Sequence, residues 1–160
     1  MGWQTEMVTI VRHLVNDIDG TTYADSRLEE TILVAAHLQY TSIDFDNTYT
    51  IDIDAGTMSP DPVESSDSWF VNIVCVKSAC IILGSEAKTL AAQSYKIKDG
   101  PSSIDIGQAY KNINELYKQL CDKLAHMIME YKAGNSVGAH AVLTPYTQER
   151  LSTNPIRNFS

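Results

Sequence analysis

Four histidines, three cysteines and a run of aspartates are the side chains on which chemistry could rest in this chain. His13, His37 and His126 fall on three separate helical stripes, and His140 lies in the C-terminal segment. No histidine is read as having a Cys, His or Asp at the i, i+4 spacing of a helical metal pair, and HExxH is absent. Cys75, Cys80 and Cys121 form no CxxC, which disfavours a zinc ribbon or a disulfide scaffold. They read as reduced core thiols, since apolar surroundings raise a thiol's pKa and blunt its reactivity. Asp52-Ile53-Asp54-Ala55-Gly56 faintly resembles the start of a calcium loop, but the third acid and the glutamate at position twelve are missing. Alternating Asp on an extended segment reads instead as its wet face. Gly100-Pro101-Ser102-Ser103 could offer amides to an anion, yet Asp99 and Asp105 flank it. No phosphate-cradling glycine motif occurs and no Ser-His-Asp set can be chosen. The expectation is a non-enzyme with no catalytic residues, no cofactor and no metal.

Composition narrows the classes further. The chain has 160 residues, 44% of them hydrophobic and 20% charged, which suits one globular domain with a real core. Twenty acids against twelve Lys and Arg give a net charge of −8, the wrong sign for a general phosphate-binding surface. The N-terminus, MGWQTEMVTI, lacks the basic then apolar order of a signal peptide. The most apolar stretch, Trp69 to Leu83, reads as too short and too polar to span a bilayer and as suited to a buried helix.

The elements that must position these residues follow from periodicity. Trp3, Met7, Ile10, Val11, Leu14, Val15 and Ile18 make one helical stripe, predicting a helix over 3–18 stopped by Asp19-Gly20. Ser26-Arg27-Leu28-Glu29 reads as a capping box, with Asp25 as the competing cap, for a second helix running to about Tyr40. From Ser42 to Ile53 the period falls to two, with Ile43, Phe45, Tyr49, Ile51 and Ile53 alternating with polar residues. That predicts one bent strand or two short strands around Asp46-Asn47. Ala55-Gly56 opens an irregular stretch through Pro60 and Pro62. Asp67 or Ser66 can cap a third helix from Ser68 to about Ala92, apolar on most faces and therefore central. Tyr95 to Asp105 suggests a small hairpin or extended clip, and Asp105 with Gln108 another capping box. A last helix of about seven turns carries Ile106, Tyr110, Ile113, Tyr117, Leu120, Leu124, Met127, Ile128 and Tyr131.

The fold class expected is mainly α: a four-helix bundle-like core, a small β-hairpin or extended insertion, and an extended C-terminal tail. Residues 1–132 form the helical domain, with the extended acidic segment at about 41–66, and 133–160 form the tail. Residues 41–67 hold seven acids and no Lys or Arg, whereas the tail holds Glu149, Arg150 and Arg157 and is about +1. Without period, and with Pro145 and Pro155, the tail suits ordering against a partner.

The order of these pieces resembles a known family. Tyr23-Ala24-Asp25-Ser26-Arg27-Leu28-Glu29-Glu30, then Ile32 and Ala35-Ala36, precede an extended segment and Ser59-Pro60-Asp61-Pro62. Asp67, Phe70 and an Ala/Cys-rich helix follow, then Lys98-Asp99-Gly100, Ser103-Ile104-Asp105 and a long helix ending in Glu130-Tyr131. Over roughly residues 5–132 this is similar to the head–tail connector (adaptor, head-completion) proteins of tailed bacteriophages. The resemblance implies a structural virion protein made in the host cytoplasm and built into the neck. Its copies, commonly twelve, form a homo-oligomeric ring under the portal. The partners implied are the chain itself, the portal protein and the next neck or tail-terminator protein, with no membrane. DNA passes through the ring during ejection without specific binding, and an acidic lining would let it slide. The C-terminal segment implied to dock on the portal carries Leu143, Tyr146, Arg150, Leu151, Ile156, Arg157 and Phe159. The acidic surface implied to face the channel or a neighbouring subunit carries Asp44, Asp46, Asp52 and Asp54. The strongly β character of 41–58 departs from an all-helical connector. The alternative is a small helical ligand-binding protein or enzyme, its pocket between the third and last helices and lined by Tyr110, Tyr117, His126 and Tyr131.

Overall fold

A computed structural model of the chain describes residues 2–93, 98–99, 102–103 and 107–135. Within them the protein is mainly helical, with four helices and two short hairpins. The helices are α1 (Trp3–Leu14), α2 (Asp25–Tyr40), α3 (Ser68–Gln93) and α4 (Gly107–Asn135). Strands β1 (Thr50–Asp52) and β2 (Thr57–Ser59) pair antiparallel, as do β3 (Lys98–Asp99) and β4 (Ser102–Ser103). The chain divides into two compact units, Met1–Ile128 and Met129–Ser160.

The first unit is built on α3, against which both α1 and α2 pack. The stripe of α1 buries Trp3, Met7, Val8 and Val11, and α2 buries Leu28, Ile32, Leu33, Ala35 and Ala36. On α3, Phe70, Ile73, Val74, Cys75, Ser78 and Ala79 are fully covered, so this helix has buried faces on several sides. Each large apolar side chain taken out of water in this way contributes roughly 1.5–3 kcal/mol. The Ser78 hydroxyl, buried with them, donates back to the Val74 carbonyl at 2.8 Å and so is itself satisfied. By length and composition α3 can cross a bilayer, contrary to the reading of its apolar stretch as too short. What marks it as a core helix is that 61% of its apolar window is buried inside the molecule.

Two helix boundaries differ from the sequence reading, for the same physical reason. α1 ends at Leu14 rather than 18: Asn16 takes a left-handed φ of 58° and Ile18 is 60% exposed. The turn swings Asp17 inward, where Arg12 Nη1 meets its carboxylate at 2.5 Å and the Thr22 and Tyr23 amides donate to it. Arg12 Nη2 also pairs with Asp25 at 2.5 Å. Asp25 is therefore taken by the arginine. α2 starts after Ala24 with no side-chain cap, and the box expected of Ser26 and Glu29 does not form. The arginine's tertiary contacts, to the buried Asp17 and the exposed Asp25, outweigh local capping here. By contrast Asp67 caps α3 as expected, its Oδ1 accepting from the Phe70 amide at 3.0 Å.

The extended segment also differs. Ile43, Phe45 and Tyr49 are buried as the alternation demands, but they lie outside any strand. The pairing is Thr50↔Ser59, Ile51↔Met58 and Asp52↔Thr57, so the turn sits at 53–56 and not at Asp46-Asn47. Asp52 Oδ1 accepts from the Ala55 amide at 2.9 Å, and Gly56 supplies a φ of 68° that only glycine adopts cheaply. The stretch read as irregular from Ala55 thus supplies the second strand.

Candidate functional site

The acidic segment is held by aromatic side chains and by its own carboxylates. The Phe45 ring meets Phe70 edge-on at 5.0 Å, and Tyr49 stacks on Phe70 at 4.1 Å. Tyr40 of α2 meets Tyr49 edge-on at 6.4 Å. The Tyr49 hydroxyl donates to Asp67 Oδ2 at 2.7 Å, and Asn47 donates to the same oxygen at 2.9 Å. Burial, reinforced by that carboxylate, pushes the Tyr49 hydroxyl up to about 12. Asp61 ties the end of the hairpin to α1, its Oδ2 accepting from the Trp3 amide at 2.8 Å. Asp61 and Asp67 are therefore structural. Asp44, Asp46, Asp52 and Asp54 are all exposed, with Asp52 closing its turn. The segment is thus a fixed platform with a negative outer surface.

A second feature is an open groove of about 570 Å³ between α3 and α4. Lys77, Cys80, Gly84, Lys88 and Ala91 of α3 face Tyr110, Asn114, Tyr117 and Cys121 of α4 across it. The helices approach closely at Gly84, where an added Cβ would lie 3.0 Å from the Tyr117 ring. The hydrogen bond to Cys121 raises the Tyr117 hydroxyl's pKa, and burial pushes the Cys80 thiol up to about 12. Of the aromatic and histidine residues proposed for a pocket here, Tyr110 and Tyr117 line the groove, while His126 and Tyr131 do not. The facing pair Cys80 and Cys121 escaped sequence reasoning. The α4 stripe places Cys121 one helical turn after Tyr117, but nothing local places Cys80 opposite it.

His13–Asp17 and Asp122–His126 do stand four residues apart, but Asp17 is spent on Arg12 and two amides. Among the described residues no group of three or more His, Cys, Asp or Glu could hold a metal. Leu143, Tyr146, Arg150, Leu151, Ile156, Arg157 and Phe159 lie outside the described residues, as do Asp105 and the Gln108 side chain. What fold and site define together is a small helical module with an anchored acidic hairpin and an open groove along its last helix. Compared with models of known families, with curated proteins and with solved structures, the chain matches none.

Proposed function

We propose that this chain is a structural protein of a tailed-phage neck, assembling as a ring that joins the portal to the tail and extends the DNA channel. The observation that carries the reading is the order of elements. A short helix, a second helix, an exposed acidic hairpin, a long central helix, a small hairpin and a long last helix succeed one another, which is compatible with the order of the pieces that resemble the connector family. Two features support it. Large apolar side chains are left exposed on several elements: Leu38 on α2, Ile53 at the hairpin turn, Trp69 on α3 and Leu116 on α4. Such side chains suit contacts between neighbouring copies. The exposed Asp44, Asp46, Asp52 and Asp54 suit a channel wall that repels phosphate or a complementary face on the next subunit. In this reading the C-terminal segment, from about Ala133, docks on the portal through its apolar and arginine side chains.

The test is mass by light scattering with limited trypsin digestion, for the full chain alone and after mixing with a portal ring. The reading expects a large complex with the portal, in which Arg150 and Arg157 become protected from cleavage. A compact monomer whose digestion the portal leaves unchanged overturns it. The groove between α3 and α4 favours the second reading, a small-ligand site, which that outcome would promote.

A further inference from the structure

The α3–α4 groove gathers two of the three thiols. Cys80 is buried on α3, Cys121 is half-buried on α4, and both line the groove. Cys75 is set apart: it is fully buried, and its thiol donates to the Met7 carbonyl at 3.8 Å. α1, α2 and α3 pack on one another, whereas α4 meets α3 across an open groove.

We propose that Cys80 and Cys121 are a disulfide-forming pair, closed by exchange with a low-molecular-weight disulfide and stapling α4 to α3. The order of events follows from exposure. The Cys121 thiolate, reached through the groove, attacks one sulfur of the small disulfide; a mixed disulfide forms and one small thiolate leaves. The Cys80 thiolate then attacks Cys121 Sγ, the mixed bond breaks, and the second small thiolate leaves. Two protein thiols are oxidised and one small disulfide is reduced to two thiols, which take up the two protons the cysteines release. A disulfide needs a sulfur separation of about 2.05 Å and Cα atoms within about 7 Å. Gly84 of α3 lies against Tyr117 of α4, and Cys80 and Cys121 each stand one helical turn from that contact, so the two cysteines sit on adjoining turns of the two helices. The titratable groups around the pair are Lys77 and Lys88 on α3 and Tyr110 and Tyr117 on α4. Because burial raises the Cys80 thiol's pKa, the closing step speeds up as the pH rises from about 7 to about 9.

The experiment treats the folded full-length protein with oxidised glutathione, then blocks free thiols, measures the intact mass and maps peptides. The expected product has lost two hydrogens, carries one blocking group on Cys75 after unfolding, and yields a linked peptide pair containing Cys80 and Cys121. Cys80→Ser should stall with glutathione on Cys121, and Cys121→Ser should leave Cys80 unmodified while the fold holds. The oxidised wild type should melt at a higher temperature than the reduced form. A glutathione adduct that persists on Cys121 of the wild type overturns the proposal. So does a bond that includes Cys75, a bond between two chains, or no reaction at the upper pH. None of these readouts depends on ring assembly.

Discussion

Asp67→Ala removes three interactions at the junction of the acidic segment with α3. Its Oδ1 caps the helix through the Phe70 amide at 3.0 Å, and its Oδ2 accepts from Tyr49 at 2.7 Å and Asn47 at 2.9 Å. Loss of an Asp cap costs about 1 kcal/mol. A buried hydroxyl deprived of a charged acceptor costs about 2 kcal/mol more, while Asn47 is exposed and adds little. The sum, about 3 kcal/mol, lowers the melting temperature of a domain this size by about 6–12 °C. Asp67→Asn keeps an oxygen for the cap and loses only the charge, at about 1 kcal/mol. Urea titrations of the three proteins measure these differences. Chymotrypsin reads the local consequence, since Phe45 and Tyr49 are buried in the wild type and should be cut sooner in Asp67→Ala. If Asp67→Ala stays within 1 kcal/mol of wild type, or if Asp67→Asn falls as far as Asp67→Ala, the anchoring argument is wrong.

Three further outcomes are expected. Phe70→Ala removes the ring on which Phe45 and Tyr49 pack and should cost about 4 kcal/mol by denaturant titration, more than any other single aromatic truncation in the segment. Asp17→Ala should destabilise by about 3 kcal/mol by breaking a buried pair. Asp25→Ala, at a carboxylate 71% exposed, should cost less than about 1 kcal/mol, and equal losses in thermal melts would refute the distinction. For Tyr49 the folded pKa is raised, so the hydroxyl's contribution is complete below its unfolded value near 10 and is lost as pH rises toward about 12. Wild type should therefore lose about 2–3 kcal/mol over that window relative to Tyr49→Phe, as stability against pH will show.

The helical framework was legible because its signals are local. The 3.6-residue stripes of α1, α2 and α4 and the all-round apolar character of α3 each follow from side chains a few positions apart. The errors arose where a distant partner decides. Ile18 continues the α1 stripe on paper, yet the chain turns at Asn16 so that Asp17 can reach Arg12. Ser26 and Glu29 spell a capping box, yet Asp25 is held by the same arginine. In the acidic segment, alternation correctly marked Ile43, Phe45 and Tyr49 as buried but assigned them to a strand. Phe45 and Tyr49 pack against rings of α2 and α3, and Gly56 moves the hairpin turn ten residues on from Asp46. In the groove, Tyr110 and Tyr117 could be placed from the stripe. The meeting of Cys80 with Cys121 depends on how α4 lies along α3, which no local period encodes.

Ring assembly is tested by light scattering on the full chain with and without a portal ring, followed by trypsin digestion of each. The expected result is a complex of several copies on the ring, with Arg150 and Arg157 protected there and cleaved in the free protein. A monomer that neither joins the ring nor changes its cleavage in the ring's presence would contradict it.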